Sequence, residues 1–112
     1  MAQAVAGQLD QLQKKAGIKF REVAELLDTT PQTVSRWKTG KVEPQPDRFK
    51  LLLALTWLAE ELSEFYSPDQ ARLFLFKPHK LLNGDTPADR IRNGKIDDVY
   101  AIIAQLKDGA YV

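Results

Sequence analysis

The chain contains no cysteine and a single histidine, His79. Without cysteine there is no disulfide, no thiolate metal site and no thiol nucleophile. That composition fits a reducing, cytoplasmic compartment. One imidazole with no second histidine or thiol cannot assemble the usual zinc ligand sets, so neither metal nor cofactor is expected. His79 follows Pro78 in a polar turn and reads as a surface residue. Long apolar runs are also missing: residues 51–58 form the richest stretch, and Glu60, Glu61 and Glu64 follow at once. Such a segment is too short to span a bilayer. The N-terminus shows no basic segment leading into an apolar run, so no signal peptide is expected. The six glycines are scattered and build no phosphate-binding loop.

Charge of one sign is scarce as well, with 16 Lys and Arg against 15 Asp and Glu over 112 residues. Its placement is uneven. Residues 1–50 hold nine basic and six acidic side chains, residues 51–76 one and four, and residues 77–112 six and five. The N-terminal part is therefore the side expected to face phosphate, although a solvated surface would show the same modest excess.

No segment shows the alternation of a strand, and the fold expected is all-α. Val5, Leu9, Leu12 and Ala16 recur at three- and four-residue spacing within a first helix over 3–16. Phe20, Val23, Ala24 and Leu27 repeat that stripe. Asp28-Thr29-Thr30-Pro31 interrupts it, with Thr30 as an N-cap and Pro31 at the first helical position. The next helix runs to Gly40, a left-handed terminator. A long helix is expected over 48–66, after Asp47 as cap. Ser67 and Gln70 form a capping box for a further helix, and Thr86-Pro87 opens a short one. A last helix over 96–107 carries Ile96, Val99, Tyr100, Ile103 and Leu106 on one face, with Gly109 as its stop.

The segment from Gly17 to Pro46 has the plan of a helix-turn-helix, whose second helix enters the DNA major groove. Val34 and Trp37 face inward. Gln32, Thr33, Ser35, Arg36, Lys38 and Thr39 face outward as candidate DNA contacts. Gln and Arg can read base edges bidentately, while Ser, Thr and Lys mostly hold phosphates. Gly17-Ile18, Glu22-Val23-Ala24, Val34-Ser35-Arg36-Trp37, Gly40 and Pro44 together resemble the Xre/Cro-type helix-turn-helix. Asp28 stands where that family usually has a turn glycine. Lys19 and Phe20 stand where it usually has a hydroxyl cap and a phosphate-contacting glutamine.

Nothing points to an enzyme. The adjacent carboxylates Asp97-Asp98 and Glu60-Glu61 are expected on different sides of their helices, which excludes a general acid/base pair. They read instead as helix-end electrostatics and solvated charge.

The C-terminal part carries a second resemblance. Pro78, Leu81 or Leu82, Gly84 and Pro87, then Val99-Tyr100-Ala101-Ile102-Ile103 and Gly109-Ala110-Tyr111-Val112, are similar to the toxin-binding domain of the Xre/MbcA/ParS antitoxins. The resemblance to the MbcA type implies a cognate RES-domain toxin that destroys cellular NAD. It also implies a tail, Gly109 to Val112, that plugs the toxin's active site. Pro78, Lys80, Leu81, Asp89 and Arg92 would then dock on the rim. The division expected is residues 1–46 as a DNA-binding-like unit and 47–112 as a dimerisation and toxin-binding unit.

The 48–66 helix is apolar around most of its circumference and must be buried on two sides. A homodimer is expected, with Trp57, Leu58, Leu62 and Phe65 at its interface. Autoregulation through operator DNA follows from the two halves together. The alternative is a stand-alone Xre-family regulator whose C-terminal helices only dimerise or sense a partner.

Overall fold

In the computed structural model, which describes residues 2–109, seven α-helices and one 3-10 turn follow one another. They are α1 (Ala2–Ala16), α2 (Phe20–Leu26), α3 (Pro31–Thr39), α4 (Pro46–Ser63), α5 (Pro68–Phe76), the turn Lys80–Leu82, α6 (Pro87–Arg92) and α7 (Ile96–Gly109). The described residues include no strand. The helix starts follow local chemistry. The Thr30 hydroxyl accepts the Thr33 N–H at 3.2 Å, and Ser67 accepts the Gln70 N–H at 3.2 Å. Gln70 Oε1 returns the favour to the Ser67 N–H at 2.9 Å, and Thr86 with Asp89 repeats that box before α6. Gly40 closes α3 at φ 81°, and Asp28 takes φ 55° in the turn, a geometry that Asp tolerates better than most side chains.

Both ends of the long helix differ from the sequence expectation. The long helix opens at Pro46, not after Asp47, because proline's fixed φ and missing N–H suit the first helical position. Asp47 accepts from its neighbour, the Arg48 N–H, instead of capping. The same helix ends at Ser63, and Phe65 and Tyr66 lie beyond it. At the other end of the chain, α7 runs as far as Gly109, the last described residue. Ala110, Tyr111 and Val112 lie outside the described residues.

A single apolar cluster runs through both halves, from Val5 and Leu9 on α1 through Leu52, Leu55, Leu58 and Leu62 on α4 to Val99 and Ile103 on α7. Helix α1 packs on α3, α4 and α5, while α6 bridges α2, α5 and α7. The sequence segments on either side of residue 46 therefore share one core.

That packing corrects the expected dimer contacts. Leu58 and Leu62 are 1% and 0% exposed within one chain, so neither can meet a partner. Helix α4 is buried on two sides by its own neighbours α1, α5 and α7, and this accounts for its apolar circumference. Trp57 is 51% exposed. Phe65 is half-buried. Leu62→Ala should destabilise the fold by about 2–5 kcal/mol. A charged residue there should unfold the chain, not yield a soluble monomer, and circular dichroism on melting distinguishes these outcomes.

Candidate functional site

Two surfaces carry the candidate residues. The first is the outer face of α3. Val34 and Trp37 are buried beneath it, and Gln32, Ser35, Arg36, Lys38 and Thr39 are exposed, with Thr33 half-buried. Helices α1 and α2 hold this helix from behind. Not all six polar groups point freely outward. The Thr33 hydroxyl bonds that of Thr30 at 2.9 Å, and the Thr39 hydroxyl donates to the Arg36 carbonyl at 3.2 Å. Among the described residues no ion pair engages Arg36. Its guanidinium and the Gln32 amide are the groups on this face capable of bidentate base contacts.

Phe20 explains the placement of Lys38. The Lys38 ammonium sits 5.1 Å from the centroid of the Phe20 ring, a cation–π contact between the first turn of α2 and the last turn of α3. The aromatic ring thus holds the Lys38 ammonium beside the start of α2. Beside it, the Lys19 N–H donates to Glu22 Oε1 at 2.9 Å, which satisfies the start of α2 without a hydroxyl cap. Glu22 also pairs with Arg72 of α5. Arg72 donates in turn to the Gly17 carbonyl at 3.2 Å and lies 5.2 Å from the centre of the Phe76 ring. This bridge ties the helix-turn-helix to the C-terminal helices, and spacing along the chain could not have revealed it.

Burial pushes the Glu22 carboxyl up, but the Arg72 hydrogen bond, the Lys19 N–H and both neighbouring positive charges outweigh it. The group is held below its ordinary value of 4.5. A depressed carboxylate stabilises the fold above its unfolded pKa, and that contribution disappears as pH falls through the folded one. Glu22→Gln should therefore lower stability at neutral pH and flatten the loss of stability below about pH 4.5. Denaturant melts across pH 3 to 7 measure both effects.

The second surface surrounds the 3-10 turn. A groove of about 520 Å³ runs beside the last turns of α7, walled by Phe65, Tyr66, Leu81, Ile102 and Leu106, with Gly109 at its end. Leu81 is 57% exposed, the most exposed large apolar side chain described. Pro78 is exposed at the edge of an adjoining depression with Tyr66 and Phe74. Lys80 is exposed on the turn itself. His79 is structural: its Nδ1 accepts the Leu81 N–H at 3.2 Å and its ring meets Phe74 edge-on at 6.1 Å.

The structure splits the residues that resemblance assigned to toxin contact. Pro78, Leu81 and Gly109 gather around this groove. Asp89 and Arg92 line a different cavity of about 190 Å³ with Glu25, Leu26 and Phe76. Their charges are already engaged. Asp89 caps α6 and lies 3.3 Å from Arg92, which reaches Glu25 of α2 at 3.5 Å. Hydrogen bonds from Thr86, backbone first, hold the Asp89 carboxyl below its usual range. Arg90, one residue away, is the organiser that the sequence did not single out. It donates to Asp85 at 3.0 Å, to Asp98 at 2.8 Å and to the Leu82 carbonyl at 2.7 Å, fixing the turn to α6 and α7. Among the described residues no cluster of His, Asp or Glu could hold a metal ion, and no helix is long and apolar enough to cross a membrane.

A helix-turn-helix joined through one core to helices that carry an exposed apolar groove defines the chain as a helix-turn-helix protein. The Helix-turn-helix family profile matches residues 8–56. MbcA, the mycobacterial cidal antitoxin of Mycobacterium tuberculosis strain H37Rv, is 34% identical over 112 residues, spanning 100% of this chain and 96% of that one. A probable mycobacterial cidal antitoxin of the same organism is 29% identical over 99 residues, covering 88% of this chain and 84% of that one. Among solved structures, a chain of the M. tuberculosis MbcT–MbcA toxin–antitoxin complex matches with a TM-score of 0.79 at 34% identity, over 99% of this chain and 96% of its own length. The chain belongs to the MbcA antitoxin family. Its role is that of an antitoxin, not an enzyme.

Proposed function

We propose that this antitoxin neutralises a RES-domain, NAD-degrading toxin by inserting its C-terminal tail into the toxin's active site, and that it regulates its own operon through α3. The observation that carries this reading is the full-length likeness to an MbcA chain solved with its toxin. The groove beside Gly109 supports it. Its aromatic and aliphatic wall and the exposed Leu81 offer apolar area next to the point where Ala110, Tyr111 and Val112 continue the chain. A short tail with one aromatic ring and a free carboxylate suits a nucleotide pocket, which accepts flat rings and negative charge.

In this reading Pro78, Lys80, Leu81 and the last turns of α7 form the rim contact. Asp89 and Arg92 shape α6 and its attachment to α2, and they act on the toxin surface only through that attachment. Co-expression with the product of the neighbouring gene tests the reading directly. The two proteins should purify as one complex, and the toxin's NAD hydrolysis should be suppressed in it. A chain that purifies alone while still repressing its promoter is a stand-alone regulator.

Leu81 offers a sharper check. Leu81→Asp should weaken the complex by about 2 kcal/mol or more, as expected for an apolar anchor at an interface centre, and leave the melting temperature nearly unchanged. Isothermal titration against a catalytically dead toxin measures it.

A further inference from the structure

The groove beside Leu81 has two walls, and one arginine outside it ties them together. One wall is the 3-10 turn, which exposes Leu81 and buries Leu82. Directly after Leu82 the backbone is left-handed twice, at Asn83 with φ 57° and at Gly84 with φ 89°. Such geometry at a residue other than glycine persists where the surroundings over-determine it. The other wall is α7, through Ile102 and Leu106.

Arg90 of α6 uses each of its three nitrogens on a different segment. Nη2 donates to the Leu82 carbonyl at 2.7 Å, Nε to Asp85 Oδ2 at 3.0 Å and Nη1 to Asp98 Oδ2 at 2.8 Å. Leu82 adjoins Leu81 in the turn. Asp98 lies in the first turn of α7, one helical turn before Ile102 and on the same side of the helix. The planar guanidinium sends its donors in fixed directions, which the point charge of a lysine ammonium cannot reproduce. Without that fork the turn rests on its own local bonds, such as Gly84 N–H to the His79 carbonyl and Asp85 N–H to the Leu82 carbonyl, both 3.1 Å. Two carboxylates would also be left around one vacated site.

We infer that Arg90 is a positioning residue for toxin binding: it holds the Leu81 turn against α7 in the geometry that the toxin meets. The role rests on the proposed antitoxin contact at this groove, and adds to it a residue that acts through Leu82 and Asp98 and does not itself touch the toxin. A binding surface that is competent for only part of the time loses apparent affinity by that fraction.

Arg90→Lys keeps the charge and removes the fork. In the free chain, hydrogen exchange should show the Gly84 and Asp85 amides losing most of their protection, while those of Leu55 and Leu58 in α4 keep theirs. Against a catalytically dead toxin, surface plasmon resonance should show association slowed about tenfold, as when about a tenth of the chains present a competent turn. Dissociation should stay nearly unchanged, because the seated toxin holds the turn itself. Leu81→Asp, the loss of a contact, should act mainly on dissociation. Val5→Ala removes buried methyl groups on α1, which takes no part in the groove, and should lower stability while keeping the wild-type association rate.

An unchanged association rate in Arg90→Lys overturns the inference, as does a turn that stays fully protected. So does a loss carried by dissociation, which would make Arg90 a toxin contact, or an equal slowing in Val5→Ala, which would reduce the effect to stability. A wild-type chain that binds no RES-domain toxin removes the proposed function and this role with it. Where the wild type binds and inhibits, the antitoxin reading stands and the variants decide the part of Arg90 alone.

Discussion

Removing Ala110, Tyr111 and Val112 is expected to abolish protection against the toxin while leaving the fold intact. Among the described residues the last buried side chain is that of Ile103. Val99, Ile102 and Ile103 are the buried residues of α7, and Asp108 and Gly109 are exposed. The truncation point is Gly109, since the helix extends that far and earlier cuts would shorten it. Loss of an aromatic anchor at an interface centre costs about 2–4 kcal/mol, so affinity for the toxin should fall about 30- to 1,000-fold. The more telling readout is NAD hydrolysis. If the tail occupies the active site, the shortened chain should still bind through the Leu81 groove, weakly, and no longer inhibit. Tyr111→Ala should reproduce most of the effect. A truncated chain that protects NAD and growth as well as the full chain would place inhibition on the rim surface alone.

Local chemistry made most of the fold legible in the sequence. Thr30-Pro31, Ser67-Pro68 and Thr86-Pro87 each place a hydroxyl cap before a proline, and each opens a helix at that point. Gly40 and Asp28 took the left-handed geometry that their positions demand. One expectation went astray for a physical reason. Apolar periodicity shows that a face is covered, but not by what. The stripe of α4 containing Leu58 and Leu62 is covered by the chain itself, whereas the exposed stripe is marked by a tryptophan and a leucine set between opposite charges. For Asp89 and Arg92, named through resemblance, the sequence did not show that they also cap α6 and pair with α2. Arg90, Arg72 and the Phe20–Lys38 contact depend on residues brought together across turns, so no single-segment pattern could reveal them.

The same contact shapes what is expected of DNA binding, which rests on few side chains. With the hydroxyls of Thr33 and Thr39 engaged inside the helix, base reading falls to Gln32, Ser35 and Arg36. Arg36→Ala should cost about 1–3 kcal/mol on the operator and relax preference at one base pair, because a bidentate arginine contact is lost. Lys38→Gln should weaken all sequences alike and lower the salt slope by about one, the signature of one phosphate contact removed. Phe20 should act through Lys38. Phe20→Ala removes the ring that pre-orders the Lys38 ammonium, so its phosphate pairing should weaken by up to about 0.5–1 kcal/mol, the size of the contact kept in the complex. Fluorescence anisotropy with operator and scrambled duplexes, at three salt concentrations, separates the three variants. Unchanged binding in Arg36→Ala would remove the recognition role from α3. Were the toxin complex itself unable to bind the promoter, the helix-turn-helix would serve this antitoxin only as the scaffold on which its toxin-facing groove is built.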